Sequence, residues 1–217
     1  MFDSATARRM MVDGQVRTAD VHNSDLIDAM LALPRERFVP PAMAEQAYVD
    51  GDLEIAKGRA MLKPMVLAKL IQASHLQAGD HVLDVGCGYG YSSAVLSRLA
   101  ASVVALEEDP SLAAAANGAL ASCGVTNVTV VNGKLTQGWP AGAPYDFILF
   151  NGATEIAPES LAGQLKPNGR LACILGRPPA AKAMLYRPAE GRLVGRPIFD
   201  AAAVILPGFV APPAFVF

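Results

Sequence analysis

The sequence predicts an α/β fold with a doubly wound, mostly parallel sheet behind a helical N-terminal segment. From residue 77 onward, short apolar runs alternate with helical patterns, and the first of these runs opens directly into a glycine-rich turn. Near the C-terminus, residues 183–187 and 192–194 flank a PAEG turn, which predicts an antiparallel hairpin at the sheet edge. Helical patterns dominate the first sixty residues, outside this alternation.

Length and composition fit one domain that covers residues 1–217. The 52% hydrophobic content includes no apolar run long enough to span a bilayer, and the N-terminus has no signal-peptide h-region. A net charge of −2 without a basic stripe argues against nucleic acid as a partner. We therefore expect a cytoplasmic protein that binds neither membranes nor nucleic acid. The cysteines, Cys87, Cys123 and Cys173, are widely spaced in apolar surroundings, so reduced thiols are expected and no metal site is predicted.

The N-terminal elements follow from caps and prolines. Asn23 caps a helix whose apolar face is Leu26, Ile27, Met30 and Leu31, and Pro34 ends it. Residues 38–55 are irregular, so we expect a loop-rich segment that covers the site. Pro64 suits the first turn of the next helix.

The sheet elements come next. Residues 81–85 and 102–106 predict strands, and Asp109 with Pro110 starts a helix that Gly124 ends. Further strands are predicted at residues 128–131, 145–150 and 171–175, with a helix at about 160–165. Asn151 and Gly152 would lie beyond the carboxyl end of the 145–150 strand, where open parallel sheets bind ligands.

The glycine turn, GCGYG at residues 86–90, predicts a ligand site. Glycines allow a sharp turn and bring a ligand close to peptide N–H groups. Glu107 ends the next apolar run, 17 positions after Gly90, where an acid can accept hydrogen bonds from both hydroxyls of a ribose.

Spacing separates two classes of adenosine ligand. Dinucleotide-binding folds usually carry a GxGxxG motif and bind the pyrophosphate of the ligand at the start of the helix. This turn instead reads GxGxG, with Asp84 beside it. An acid there repels a pyrophosphate and suits an ammonium group, which S-adenosyl-L-methionine carries. A nicotinamide oxidoreductase is therefore the weaker interpretation. For Asp84, a purely structural role bonded to nearby N–H groups stays open.

Several segments together resemble the protein-L-isoaspartate O-methyltransferase family of class I S-adenosylmethionine enzymes. They are LPRERFVP at 33–40, AYVDGDLEI at 47–55, VLDVGCGYGY at 82–91, GWPAGAPYDFILFNGA at 138–153 and QLKPNGRL at 164–171. The resemblance implies a Rossmann-like, seven-stranded sheet with an antiparallel edge. It also implies methylation of isoaspartyl carboxylates in damaged proteins, that is, protein repair, with S-adenosyl-L-homocysteine as the product.

Two positions depart from the family pattern. Where the family has a motif resembling GQTISQP, residues 58–64 read GRAMLKP, so Leu62 stands in place of a serine thought to handle the acceptor carboxylate. Where the family has GDG, this chain has Gly133, Lys134 and Leu135. Because lysine only donates, the adenine amino group would need another acceptor, such as Asn132 or a backbone carbonyl.

These considerations give two sets of candidate residues and no assigned catalytic residue. On the cofactor side they are Asp84, Gly86, Cys87, Gly88, Gly90, Glu107, Glu108, Asn132 and Gly133. On the acceptor side they are Tyr48, Asp50, Leu62, Asn151 and Gly152. We expect residues 1–76 to form a helical cap with the acceptor-side segment, and residues 77–217 to form the cofactor-binding core.

The chemistry asks little of acids and bases, since an aspartate-like carboxylate is already ionised near pH 7. Losing the serine should therefore lower rate or selectivity without forbidding the reaction, and Lys63 or Arg59 is an alternative partner for the acceptor carboxylate. The other function that stays open is a cofactor-binding homologue with a different acceptor or without efficient catalysis.

Overall fold

A computed structural model describes residues 3–212; residues 1–2 and 213–217 of the expected single domain lie outside the described residues. The α-helices within this range are α1 (Ser4–Met11), α2 (Ser24–Ala32), α3 (Pro64–Ser74), α4 (Tyr91–Ser97) and α5 (Pro110–Ser122). The strands are β1 (Leu53–Ala56), β2 (Arg59–Met61), β3 (His81–Val85), β4 (Ser102–Glu107), β5 (Val128–Asn132), β6 (Tyr145–Thr154), β7 (Leu165–Leu175), β8 (Lys182–Ala189) and β9 (Arg192–Asp200). None of the helices in the described range has both the length and the apolar character needed to cross a membrane.

Seven strands form the main sheet in the order β5-β4-β3-β6-β7-β8-β9. The first five of these are parallel, whereas β8 and β9 continue as antiparallel neighbours. The doubly wound sheet and its antiparallel edge hairpin are therefore confirmed. The order changes direction between β3 and β6, so the carboxyl ends of these strands border the crevice where such sheets bind ligands.

The sheet is covered on both faces, which is why its central strands read as continuous apolar runs. In β3, Val82 packs into a core cluster with the N-terminal helices and α3, while Leu83 and Val85 pack into a cluster on the opposite face. The predicted helix starts are confirmed as well. The Asn23 side chain accepts from Leu26 N at 2.9 Å, and Pro64 occupies the first turn of α3.

A small two-stranded hairpin, β1–β2, lies between the N-terminal cap and α3. The prediction of an irregular loop over residues 38–55 is wrong in part. Residues Pro41–Gln46 form a 3-10 helix, and β1 begins at Leu53 because it pairs with β2, whose partner residues were not foreseen. The sequence alone could not show this pairing, since the strands are only four and three residues long.

The strand predicted to end at residue 150 continues to Thr154 as β6. Asn151 and Gly152 therefore lie inside the strand, which corrects their expected position beyond it. The reason is a register shift between Leu149 and Ala153, after which the chain from Val204 to Phe209 bonds to the end of β6. Ala153 N donates to Val204 O, and Leu206 N donates to Ala153 O, both at 2.8 Å.

Candidate active site

The glycine turn is built from backbone conformations that side chains avoid. Gly86, Gly88 and Gly90 have φ values of 75°, 57° and 88°, in the left-handed region. The turn is tied to β4, because Gly86 N and Cys87 N both donate to Leu106 O, at 2.8 and 3.2 Å. The apolar run before the turn thus delivers it to the carboxyl end of the neighbouring strand.

Glu107, at the end of β4, is fully buried against this turn. Its Oε2 accepts from Gly88 N at 2.9 Å, and its Oε1 accepts from Glu108 N at 2.9 Å and Asp109 N at 3.1 Å. The carboxylate and the glycine turn are therefore one hydrogen-bonded unit. Glu107 lies at the end of β4 beside the turn, as its position in the sequence predicts. Its role in binding a ribose stays a prediction.

Arg59 of β2 forms a bidentate ion pair with Glu107. Its Nη2 donates to Oε2 at 2.7 Å, and its Nη1 donates to Oε1. The Arg59 side chain is only 6% exposed, so the pair is shielded from water. Its Nη2 also lies 3.1 Å from the point that a Cβ on Gly86 would occupy. The guanidinium therefore lies against the glycine turn.

Two apolar side chains cover the rest of the turn. Ile55 Cδ1 lies 2.6 Å from the Cβ position of Gly88, and Leu206 lies 3.2 Å from that of Gly86 and 2.7 Å from that of Gly152. The cavity that remains is about 20 Å³, room for roughly one water molecule. It is lined by Ile55, Ala60, Met61, Leu62, Leu67, Gly86, Cys87, Gly88, Tyr89, Tyr91, Ser92 and Asn151.

Asp84 is buried beneath the turn and bonded to protein donors. Its carboxylate accepts from Ser92 Oγ at 2.7 Å, from Ser93 Oγ at 2.5 Å and from the Asn151 amide. Burial raises the pKa of Asp84 to about 6, although these three hydrogen bonds oppose the shift. Asp84 does not line the cavity, whereas Ser92 and Asn151 do. A contact with a ligand ammonium stays a prediction, and a direct one would use the remaining acceptor site on Oδ1, which within residues 3–212 accepts only from Asn151.

The expected adenine side lies at the end of β5. Asn132 is exposed, and its Nδ2 donates to Glu107 O at 2.9 Å and Glu108 O at 3.1 Å, while Gly133 N donates to Glu107 O at 3.1 Å. Glu108 is exposed, as is Lys134. Asn132, Gly133 and Glu108 thus lie together around the backbone of Glu107, while Lys134 presents its ammonium to solvent.

The acceptor-side candidates do not converge. Leu62 and Asn151 line the cavity, and Gly152 lies under Leu206. Tyr48 donates to Glu36 and accepts from Arg8 Nε at 3.2 Å, and Asp50 is exposed. Leu62 is 2% exposed and belongs to the main core cluster, so this position is an apolar plug beside the cavity.

Buried Arg35 joins the segments on this side. Its Nε donates to Ala47 O at 2.7 Å, its Nη2 donates to Leu62 O at 2.8 Å, and its guanidinium lies 4.5 Å from the Tyr91 ring centroid. Burial lowers the pKa of Arg35. Arg35 thus connects three of the segments that carried the family resemblance, residues 33–40, 47–55 and 82–91, and it also bonds to the backbone of Leu62.

Two residues that close the site, Arg59 and Leu206, were not predicted for that role, whereas Ile55 belongs to the segment that was expected to cover the site. Arg59 had been considered only as a partner for an acceptor carboxylate, and the structure pairs it with Glu107. Its position gave a signal, because Arg59 stands where the motif has a neutral glutamine and so places a cation in a segment expected to border the site. The contact of Leu206 depends on the tail returning to β6, for which the sequence carries no local signal.

Comparison with known proteins shows the family of this chain. A sequence model described as Protein-L-isoaspartate(D-aspartate) O-methyltransferase (PCMT) matches residues 7–197. The chain belongs to the protein-L-isoaspartate O-methyltransferase family. It is 43% identical over 190 residues to a protein of that name from Methylorubrum extorquens, covering 88% of this chain and 82% of the relative. A relative of the same name from Pelotomaculum thermopropionicum is 41% identical over 172 residues, covering 79% and 75%.

Solved structures give the same fold. One protein-L-isoaspartate O-methyltransferase superposes with a TM-score of 0.79 at 26% identity, covering 93% of this chain and 66% of the other. A candidate member of the family from Plasmodium falciparum, in complex with S-adenosyl-L-homocysteine, superposes with a TM-score of 0.78 at 18% identity, covering 92% and 97%. The predicted family and its Rossmann-like methyltransferase fold are confirmed.

Proposed function

We propose that this chain is an S-adenosylmethionine-dependent O-methyltransferase that acts on isoaspartyl carboxylates of damaged proteins. The observation that carries the proposal is the glycine turn bonded through Gly88 N to the buried carboxylate of Glu107, in a chain that belongs to this family. The named activity of the relatives, at identities of about 40% over most of their length, supports the same conclusion.

The residues at the turn fit the cofactor in kind. The Cβ positions of Gly86 and Gly88 face the residues that close the cavity, so a side chain at either position would fill the remaining space, and Glu107 offers a carboxylate for ribose hydroxyls. Cys87, Gly88 and Ser92 line the same cavity. The space itself is filled by Ile55 and Arg59 of the β1–β2 hairpin together with Leu206, so the hairpin has to move when a cofactor binds.

When bound, S-adenosyl-L-methionine supplies the methyl group that is transferred. The protein then has to hold the acceptor oxygen in line, which is a matter of proximity and orientation. Gly86, Gly88 and Gly90 would admit the methionine portion, Glu107 would bind the ribose, and Asp84 would face the ammonium directly or through water. Around the adenine, Glu108, Asn132 and Gly133 are the proposed contacts.

Acceptor recognition is proposed for the N-terminal part, residues 1–76, which borders the core at residues 77–217. Leu62 and Asn151 line the cavity and are the nearest candidates there, while Tyr48, Asp50 and Gly152 would contact a longer peptide. A cytoplasmic protein without nucleic-acid or membrane partners, as the composition predicts, is compatible with this substrate class.

The direct test is methyl transfer from labelled S-adenosyl-L-methionine to a peptide that contains one isoaspartyl residue. The matched control is the same peptide with an ordinary aspartyl residue, which should not be labelled. We expect labelled methyl ester on the isoaspartyl peptide alone. Binding of S-adenosyl-L-homocysteine without any labelling of the isoaspartyl peptide would contradict the proposed acceptor.

A second function is favoured by one specific observation, the apolar surroundings of Leu62. The leucine side chain cannot exchange a hydrogen bond with a carboxylate. A cofactor-binding homologue with a different acceptor, or without efficient catalysis, would show calorimetric binding of S-adenosyl-L-homocysteine and no isoaspartyl methylation.

A further inference from the structure

The Glu107 carboxylate has no hydrogen-bonding capacity to spare. Two carboxylate oxygens offer about four lone-pair sites. Glu107 already accepts from three backbone N–H groups, those of Gly88, Glu108 and Asp109, and from both Nη atoms of Arg59. A ribose that brings two more hydroxyl donors must therefore displace a donor that is present.

Arg59 is the donor that can leave. Glu108 and Asp109 follow Glu107 directly in the chain, and Gly88 belongs to the turn that β4 holds in place. Arg59 instead reaches the site from the β1–β2 hairpin, and its Nε has no hydrogen-bond partner among residues 3–212. Within the described part of the chain, its side-chain hydrogen bonds thus go to Glu107 alone.

The hairpin also fills the hollow of the turn. Ile55 on β1 lies over Gly88, and Arg59 on β2 lies over Gly86. Because the two strands are paired, a movement that withdraws Arg59 from Glu107 also carries Ile55 away from Gly88. One displacement would therefore open both the carboxylate and the space beside it.

We propose that Arg59 is the gate of the nucleoside site. In the closed state it occupies Glu107, and a nucleoside with free 2′ and 3′ hydroxyls gains that carboxylate only when Arg59 leaves. The side chain at position 59 therefore sets the affinity of the site for cofactor. The inference rests on the proposed function, because it takes the ligand to be S-adenosyl-L-methionine or its product.

The experiment is calorimetry of S-adenosyl-L-homocysteine with wild-type protein, Arg59→Gln and Arg59→Ala. Lys57→Gln is the matched control, because Lys57 is an exposed cation in the same hairpin. Both variants of position 59 leave Glu107 with its three backbone donors, so the carboxylate is not left without partners. Thermal melting of each ligand-free variant verifies that it is folded.

We expect both Arg59 variants to bind at least about tenfold more tightly than wild type, since removing a dominant closed state raises the binding-competent fraction. Lys57→Gln should bind as wild type does. A second readout needs no ligand: hydrogen–deuterium exchange across residues 53–61 should be faster in Arg59→Gln than in wild type, and unchanged exchange would contradict the gate.

The outcomes separate the two proposals. If wild type and the Arg59 variants bind with equal affinity, or the variants bind more weakly, the gate is wrong while the cofactor site stands. If none of the folded proteins binds S-adenosyl-L-homocysteine at millimolar concentration, the cofactor site itself is wrong, and the gate falls with it. If Lys57→Gln also tightens binding, general charge and not the ion pair controls affinity, which again overturns the gate.

Discussion

The glycine turn and the β1–β2 hairpin face each other across one small cavity, and they keep the family pattern to different degrees. The turn retains its left-handed glycines and the acid at the end of β4. The hairpin side departs from the pattern at two positions: Arg59 places a cation where the motif has a neutral glutamine, and Leu62 places an apolar side chain where the motif has a serine. The turn side thus keeps the family pattern, while the hairpin side departs from it at residues that border the cavity.

This difference teaches that the backbone conformation of the glycine turn and the access of a ligand to that turn are separate properties. Backbone conformation fixes the first, because the three glycines adopt values that other residues rarely adopt. Side chains from another element decide the second. The Arg59 guanidinium stabilises the buried Glu107 carboxylate, and the same ion pair holds the hairpin against the turn.

The largest effect is expected when the acid of the ion pair is removed. Glu107→Gln leaves the buried Arg59 cation without an anionic partner, which should lower the free energy of unfolding by about 3–5 kcal/mol. Denaturant unfolding measures this loss. The exposed neighbour Glu108→Gln is the control and should change stability by less than about 0.5 kcal/mol.

The same measurement sharpens the comparison between the two sides. Arg59→Gln should cost less stability than Glu107→Gln, because Glu107 keeps three backbone donors, whereas the side-chain hydrogen bonds of Arg59 within residues 3–212 go to Glu107. Equal losses would show that the hairpin side is as dependent on the pair as the turn is.

The next largest effect is expected on the hairpin side. Leu62→Ser removes a side chain that is 2% exposed, so the free energy of unfolding should fall by about 2–4 kcal/mol. Methyl transfer to an isoaspartyl peptide should rise, because the hydroxyl restores a hydrogen-bonding group beside the cavity. Leu53→Ser, a buried position on β1, is the control: it should lose stability without gaining activity. No gain in Leu62→Ser would count against a role for this position in acceptor binding.

A smaller effect tests the buried acid on the turn side through pH. The pKa of Asp84 in the folded protein is raised to about 6, above the usual value of 3.8, so the folded state binds the proton more strongly. Its contribution to stability is therefore fully present below the usual value of 3.8 and is lost as pH rises through about 6. The stability of wild type minus that of Asp84→Asn should increase by up to about 3 kcal/mol as pH falls from 7 to 4.

Folding lowers the pKa values of other carboxyl groups, such as Glu36 and Asp146, from 4.5 and 3.8, so these groups also change stability as pH falls to about 4 and below. The difference between the two proteins is therefore the quantity to follow. A difference that does not vary with pH would show that Asp84 titrates normally and is not held beneath the turn as the geometry requires.

The smallest effect is expected at the adenine side. Lys134→Asp supplies an acceptor for the adenine amino group and should tighten binding of S-adenosyl-L-homocysteine by about two- to tenfold, the worth of one net hydrogen bond. Stability should change by less than about 0.5 kcal/mol, since Lys134 is exposed. Lys134→Ala removes the lysine without adding an acceptor, so equal tightening in both variants would contradict adenine recognition at this position.

Much of the fold could be predicted from local pattern. Apolar runs, the caps at Asn23 and Asp109, and Pro64 gave helices and strands close to their observed positions. The 3-10 helix at Pro41–Gln46 and the β1–β2 hairpin were missed, because each is short and stabilised by packing instead of by its own pattern. The extension of β6 was missed because the returning tail provides its partners.

The sequence by itself determined the turn, the acid that follows it and the family. A left-handed backbone favours glycine, and the end of an apolar run marks the end of a strand without knowledge of its neighbours. Only the tertiary structure decided that Glu107 pairs with Arg59, 48 positions away, and that Leu206 returns to cover Gly86. The physical reason is that a buried carboxylate pairs with, and a buried glycine turn is covered by, whichever side chains the fold brings close. The positions of those side chains along the sequence do not indicate that they will meet.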